Sequence, residues 1–365
     1  MKRNIQTIVI SACLLSSAMV MAQMRTAPQF VKGSVDDAVK IIKAYALPVE
    51  KSLALNNANN SLMPLLHQEL NDLKFGIGLT SSVSIVNSAD LTYNIMDLQL
   101  TEFEPADPQR TIAQTYAGSA NTIPLQTQQK YYVPSSSFPF YSTRPVLTLN
   151  SPEGYGVRIM PYAAFHLFGA SHGNLIDLKF IPPIKYSPRN VGLFNISLQL
   201  QYNLNSLFKD LDATGLKFYL SGGYGYNKVS NYLEIKPNEA GLTFSPSGDK
   251  GPYDNQELQL LSVSIPLRFY LFKTSGAVAI MVGGGYNLLD SKVSLKGNYP
   301  IYSTDPTNHF QVIVKDLSDP FSYSRNFNTY ALDGGISFTF EKIILGLLYS
   351  YSSYSNLNLS FGFTL

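Results

Sequence analysis

Residues 357–365 read Leu-Asn-Leu-Ser-Phe-Gly-Phe-Thr-Leu, and Leu365 is the last residue. Leu357, Leu359, Phe361, Phe363 and Leu365 are apolar, with Asn358, Ser360, Gly362 and Thr364 between them. In an extended chain successive side chains point to opposite faces, so this run is a strand with one oily face and one small polar face. Residues 194–205 repeat the pattern over a longer stretch. Phe194, Ile196, Leu198, Leu200, Tyr202 and Leu204 face one way; Asn195, Ser197, Gln199, Gln201, Asn203 and Asn205 face the other. The outward face of a soluble sandwich normally mixes in lysine and glutamate. Here it is wholly amide and hydroxyl, as suits a wet lumen.

Outward from these runs the period-two pattern continues. It begins at Leu73, with Phe75, Ile77, Leu79, Val83 and Ile85 in phase, and a second run covers residues 91–103. Further runs cover 156–168, 175–181, 215–228, 258–272, 277–288, 327–340 and 343–351. Weaker ones at 232–236, 292–298 and 310–315 read as strand extensions above a membrane. Many match or exceed the ~9–11 residues that cross a bilayer as tilted strands. The expected fold is all-β: an antiparallel transmembrane β-barrel of roughly 12–14 strands. Pro266 lies inside one run and removes a ladder donor, so it predicts a bulge or strand end.

Composition agrees. Charged residues make up 14% of the 365-residue chain, well below the ~25% of a typical soluble protein. Mean hydropathy is +0.00, and no stretch beyond the first residues reaches the ~18 apolar residues of a membrane helix. Alternation in lipid gives this combination. A net charge of +2 argues against a nucleic-acid footprint.

Lys2 and Arg3 precede an apolar stretch over residues 8–21, and Val20-Met21-Ala22 offers a small residue at a cut and a tolerable one two places before it. Residues 1–22 read as a secretory signal peptide. Cys13 is the only cysteine and follows Ile10-Ser11-Ala12, which resembles a lipoprotein box. The apolar region continues past it, which favours a leader cysteine over a lipidated one. Cleavage after Ala22 leaves no thiol for a disulfide or a metal.

Residues 23–72 read as an N-terminal helical plug or cap, with 34–70 its helical core. Ser34 caps a helix with Asp36 and Asp37 in its first turn, where carboxylates meet the positive end of the dipole. Val35, Ala38, Val39, Ile41, Ile42 and Tyr45 follow helical spacing, and Pro48 predicts a kink or end. A second short apolar segment follows at 62–70. Residues 73–365 then form the barrel. Connections alternate between tight turns (273–276, 340–343) and long loops (237–256, 299–324), the outer-membrane habit of short periplasmic turns and long external loops. Residues 105–152 are too long for a structureless loop in a compact domain. They read as an external lid or a segment folded into the lumen.

The order of parts resembles an uncharacterised outer-membrane β-barrel family of the Bacteroidota. The matching residues are Asp36-Asp37-Ala38 through Tyr45 and Pro48, Lys74-Phe75-Gly76-Ile77-Gly78-Leu79, Asp177-Leu178-Lys179-Phe180-Ile181-Pro182 and Val191-Gly192-Leu193. The helix before a barrel of this size is more distantly similar to outer-membrane transporters of long-chain fatty acids and hydrocarbons. That resemblance implies an apolar-ligand channel with an N-terminal plug, and assigns no site residue.

No constellation predicts an enzyme. His166 and His172 flank Gly169-Ala170-Ser171 without a placed third metal ligand, and read as polar strand-end residues. Ser171 and His172 are adjacent, so on a strand they point apart. Asp249, Asp254 and Glu257 share a polar loop without EF-hand spacing. Gly283-Gly284-Gly285 lacks the following helix of a nucleotide turn, and reads as a place of bending or close packing. Tyr224, Tyr226, Tyr349, Tyr351 and Tyr354 suit a membrane-interface belt, or a sugar-stacking platform. Arg268 and Asp333 fall on the polar phase of their runs.

The function expected is a passive channel or binding barrel for small molecules, apolar ones included, lined by Asn195, Gln199, Asn203, Arg268 and Asp333. No catalytic residue, metal or cofactor is assigned. Expected partners are outer-membrane lipid, the barrel-assembly machinery acting on the C-terminal strand, and a solute or lipid. The alternatives are an adhesion or structural barrel with a filled lumen and recognition loops, and a secreted soluble β-protein.

Overall fold

A computed structural model describes residues 24–62, 73–138, 140–171, 173–186, 191–205, 215–237, 242–245 and 251–365. The leader with Cys13, most of the 62–70 segment, His67, His172 and Asp249 lie outside the described residues. The alternating runs close into a barrel of ten antiparallel strands. These are β1 (Lys74–Ile85), β2 (Ile159–Ser171), β3 (Asn174–Tyr186), β4 (Val191–Asn203) and β5 (Leu216–Tyr232). They continue with β6 (Glu257–Ser275), β7 (Val278–Lys296), β8 (Thr329–Phe340), β9 (Ile343–Tyr351) and β10 (Ser355–Thr364). Each pairs with the next, and β10 returns to β1 over Gly76↔Thr364 to Ile85↔Ser355. Closure leaves no unpaired edge, the condition for a sheet to stand in hydrocarbon.

Ten strands are fewer than the 12–14 expected. Two effects explain the difference. β6 and β7 run for 19 residues each, so 292–298 largely extends an existing strand. Residues 91–103 and 310–315 join no barrel strand. Val312–Ser318 instead pairs with Asn298–Thr304 in a separate hairpin.

The faces sort as their alternation requires. On β10, Leu359 and Phe361 are exposed while Asn358 and Ser360 are buried. On β9, Ile343, Leu345, Leu347, Tyr349 and Tyr351 are exposed, and the residues between them are buried. Apolar side chains outside and polar ones inside invert a soluble protein and match a barrel in lipid. Tyr224, Tyr349 and Tyr351 lie on this outer face. Tyr354 does not: it is fully buried, and its hydroxyl donates to Asp90 Oδ2 at 2.6 Å. It sits in the turn after β9, where alternation no longer governs direction.

Pro266 sits inside β6, without a bulge. The ladder to β5 breaks between Gly222↔Leu267 and Gly225↔Ser264, but its register is the same on both sides. The missing N–H removes hydrogen bonds without adding a residue.

One end of the barrel carries tight turns, at Gly173, Gly276–Ala277 and Glu341–Lys342. The other carries the described residues of 86–138, 140–158, 233–237, 242–245, 251–256 and 297–328. Residues 105–152 are not structureless. Short ladders (Phe103–Pro105 with Pro124–Thr127, Pro124–Thr127 with Thr148–Asn150, Lys130–Pro134 with Tyr141–Pro145) build them into a hood at the loop end.

The helix α1 spans Val35–Asn59. Ser34 caps it, accepting from the Asp37 N–H at 3.2 Å. Pro48 does not end it. The Tyr116 N–H donates to the Tyr45 carbonyl at 3.0 Å, tying the helix to the loop-end insertion. The N-terminal half buries Ile41, Ile42, Tyr45 and Ala46 against hood residues Ala113, Tyr116, Leu125 and Leu147. The C-terminal half enters the barrel.

Candidate functional site: the plugged lumen

Four asparagines at the end of α1 meet the inner wall. Asn56 Oδ1 accepts from Ser82 Oγ at 3.1 Å, Ser84 Oγ at 3.0 Å and Asn356 Nδ2 at 2.6 Å, and its Nδ2 donates to the Met160 carbonyl at 3.0 Å. Asn57 Oδ1 accepts from Asn195 Nδ2 at 2.9 Å and Ser197 Oγ at 3.0 Å. Asn59 Oδ1 accepts from Arg268 Nη2 at 2.7 Å. Asn60 accepts from Thr80 Oγ1 and donates to Ser82 Oγ at 3.2 Å. Gly225 makes room for this contact: a Cβ there would stand 2.6 Å from Asn57 Nδ2.

The last carbonyls of a helix lack intrahelical donors and carry the negative end of its dipole. The wall supplies an amine and an amide for them. Lys179 Nζ donates to the Asn57 carbonyl at 2.5 Å and the Asn60 carbonyl at 3.2 Å. Asn358 Nδ2 donates to the Asn59 and Ser61 carbonyls at 3.2 and 3.1 Å.

Two charged clusters flank this seat. The Arg268 Nε donates to Asp333 Oδ2 at 2.9 Å, and both side chains are buried. On the other side His166 Nδ1 lies 2.8 Å from Asp177 Oδ2, and its Nε2 lies 2.7 Å from Thr80 Oγ1. This hydroxyl–imidazole–carboxylate chain is wholly buried under Asn60. It acts as a hydrogen-bonded strut between β1, β2 and β3. His166 is therefore a central inward residue, not a strand-end one.

Towards the turn end the lumen becomes apolar. Leu62 packs with Phe168, Leu175, Tyr219, Phe272 and Ile344, and Tyr219 meets Phe272 edge-on at 5.1 Å. Gly283 leaves space for the Tyr270 ring, which a Cβ would approach to 2.4 Å. The cavity bordered by Asn57, Lys179, Gln199 and Ser264 holds about 10 Å³, room for roughly one water. Larger grooves of about 440 and 480 Å³ open on the outer wall, along Leu345, Leu347 and Phe361 and along Leu267, Phe269 and Leu332.

At the loop-end mouth, Glu50 of α1 accepts from the Tyr323 hydroxyl at 2.9 Å, with Arg325 Nη1 at 3.8 Å. Burial raises the Glu50 carboxyl above the usual range, against the opposing pull of Arg325. Asp37 holds the hood: its carboxylate accepts from the N–H groups of Thr101, Glu102 and Phe103 at 2.8, 2.7 and 2.8 Å, and from Thr101 Oγ1 at 3.1 Å.

Of the residues expected in the lumen, Arg268 and Asp333 pair with one another, and Asn195 meets the plug. Gln199 is half-buried beside it, its Nε2 3.4 Å from Ser221 Oγ. Asn203 lies at the turn rim instead, where its N–H donates to Asn174 Oδ1 at 2.9 Å. The strand tilts, so its last inward residue has already left the lumen. Sequence reading missed Asn56, Asn57, Asn59 and Asn60. It also missed Thr80, Asp177 and Lys179. Asp177 and Lys179 carried a signal, since both stand on the polar phase of the 175–181 run. Among the described residues, no group of three or more His, Cys, Asp or Glu side chains gathers to hold a metal.

Solved structures similar to this chain include outer-membrane β-barrels at low identity. The attachment invasion locus protein Ail of Yersinia pestis, in complex with the heparin analogue sucrose octasulfate, is 8% identical with a TM-score of 0.26, covering 80% of this chain and 99% of its own. The translocator domain of the autotransporter NalP from Neisseria meningitidis is 10% identical, with a TM-score of 0.25 and coverages of 92% and 98%. The P. putida toluene transporter TodX is 8% identical, with a TM-score of 0.25 and coverages of 85% and 93%. No curated protein matches. A family model spans residues 1–365, and the chain belongs to that family, described as a family of unknown function (DUF6588).

Proposed function

We propose that this protein is an outer-membrane barrel that passes or binds small, apolar molecules and is held shut by α1. The exported leader over residues 1–22 and the Bacteroidota origin belong to the same reading, as do lipid and the barrel-assembly machinery as partners. The observation that carries it is the chemistry of the seat. Asn56, Asn57, Asn59 and Asn60 are held in the lumen by side-chain hydrogen bonds, which water can replace bond for bond. Each such bond has a net worth of only about 1 kcal/mol, so the plug end can leave its seat without a large hydrophobic loss. Asn195, Gln199, Arg268 and Asp333 would then line a wet passage, and the Leu62 cluster would be its apolar constriction. No catalytic step is part of the reading.

Deleting residues 34–62 tests it. Purified barrel in planar bilayers is expected to pass little current when whole and to show stable open-channel conductance once the plug is removed. Unchanged conductance would reject the gate.

A second reading is favoured by one observation. Phe138 and Phe140 stand exposed on the hood, ring centroids 5.9 Å apart. An adhesion barrel with a permanently filled lumen would use such a tip for recognition. Liposome swelling separates the two, because a filled barrel admits no solute with or without stimulus.

A further inference from the structure

The chain passes through its own barrel. Residues Ala27–Lys32 lie at the loop end, where Phe30 meets Phe103 at 5.0 Å and the Lys32 ammonium lies 5.8 Å from the Tyr302 ring. Both partners belong to loop-end insertions. α1 then descends, and Asn56 to Asn60 reach the middle of the lumen. Leu62 packs at the turn end with Phe168, Phe272 and Ile344, and β1 starts at that same end. The C-terminus stands there too: the Leu365 N–H donates to the Phe75 carbonyl at 2.9 Å.

Barrels of this class keep their short turns at the periplasmic face and their long loops outside. We infer that the N-terminal end of the mature chain stands at the outer face while the C-terminal end stands at the periplasmic face. The barrel closes around a segment drawn through its lumen and displays that segment outside.

The closing seam holds the segment on this path. Asn56 accepts hydrogen bonds from β1 (Ser82, Ser84) and from β10 (Asn356) together. Asn60 holds β1 and Asn358 of β10 holds the carbonyls of Asn59 and Ser61. The two strands that complete the cylinder are therefore bridged by the plug.

The inference rests on outer-membrane placement and not on transport. A tight barrel and a leaky one give the same result in the following experiment. Thr26→Cys at the loop end and Glu341→Cys at the turn end are made singly in the full chain; both positions are exposed. Intact cells are treated with a membrane-impermeant maleimide, with the unmodified chain as the control for Cys13. The expected result is that Thr26→Cys labels on intact cells and Glu341→Cys labels only after permeabilisation. Labelling in the reverse pattern, or identical behaviour of the two, overturns it. Should Thr26→Cys not assemble, trypsin on intact cells bearing the unmodified protein reads the same point. Cleavage after exposed Arg25 supports external display; cleavage there only after lysis overturns it.

Discussion

Arg268 and Asp333 show how one polar pair in a strand face becomes committed to its partner. Neither side chain reaches bulk water. Removing one partner of a buried ion pair typically costs roughly 3–5 kcal/mol, because the other charge is left uncompensated. Asp333→Ala is expected to lower the urea midpoint of the folded barrel in detergent accordingly, and Arg268→Leu with Asp333→Leu to recover most of the loss. Glu50 carries a pH dependence. Its carboxyl titrates above the usual value because of burial. Its contribution to docking of α1 is therefore complete at acidic pH and falls as pH rises through the raised value, where the buried carboxylate must ionise. Hydrogen exchange of α1 should speed up over that window, and Glu50→Gln should flatten the profile.

Among elements, α1 is where amphipathic patterning and lumenal chemistry meet. Asp37 joins it to the hood through four hydrogen bonds. Asp37→Ala leaves three backbone N–H groups without their acceptor, which costs about 1–3 kcal/mol for a group left buried and unpaired. Protease cleavage within residues 99–103 should become faster while the barrel itself stays folded by gel mobility. The strands show the complementary lesson. Alternation located β9 and β10 almost to the residue, since lipid and lumen impose opposite demands on neighbouring side chains. It overcounted strands, because a period of two also describes hairpins that never join the cylinder.

For the whole molecule, the decisive property is a continuous oily band outside a polar interior. Leu347 lies within that band. Leu347→Arg should destabilise the barrel by roughly 2–4 kcal/mol if it lies near the bilayer midplane, read as a lower unfolding midpoint in lipid. Closure between β1 and β10 leaves the ten barrel strands without a free edge, whereas the short loop-end ladders lie outside that closure.

The amino-acid sequence alone determined the fold class, the inward phase of Asn195, Arg268 and Asp333, and the helical start at Ser34. Each follows from local periodicity or from capping, which act over a few neighbouring residues. Only the tertiary structure decided what fills the lumen. The contacts of Asn56 with Asn356, Asn59 with Arg268 and Lys179 with the helix end join residues far apart in the chain. No local pattern encodes such partners, since any asparagine on any inward face satisfies the same alternation. Which end of α1 is plug and which is cap likewise depends on the path of the chain through the closed cylinder.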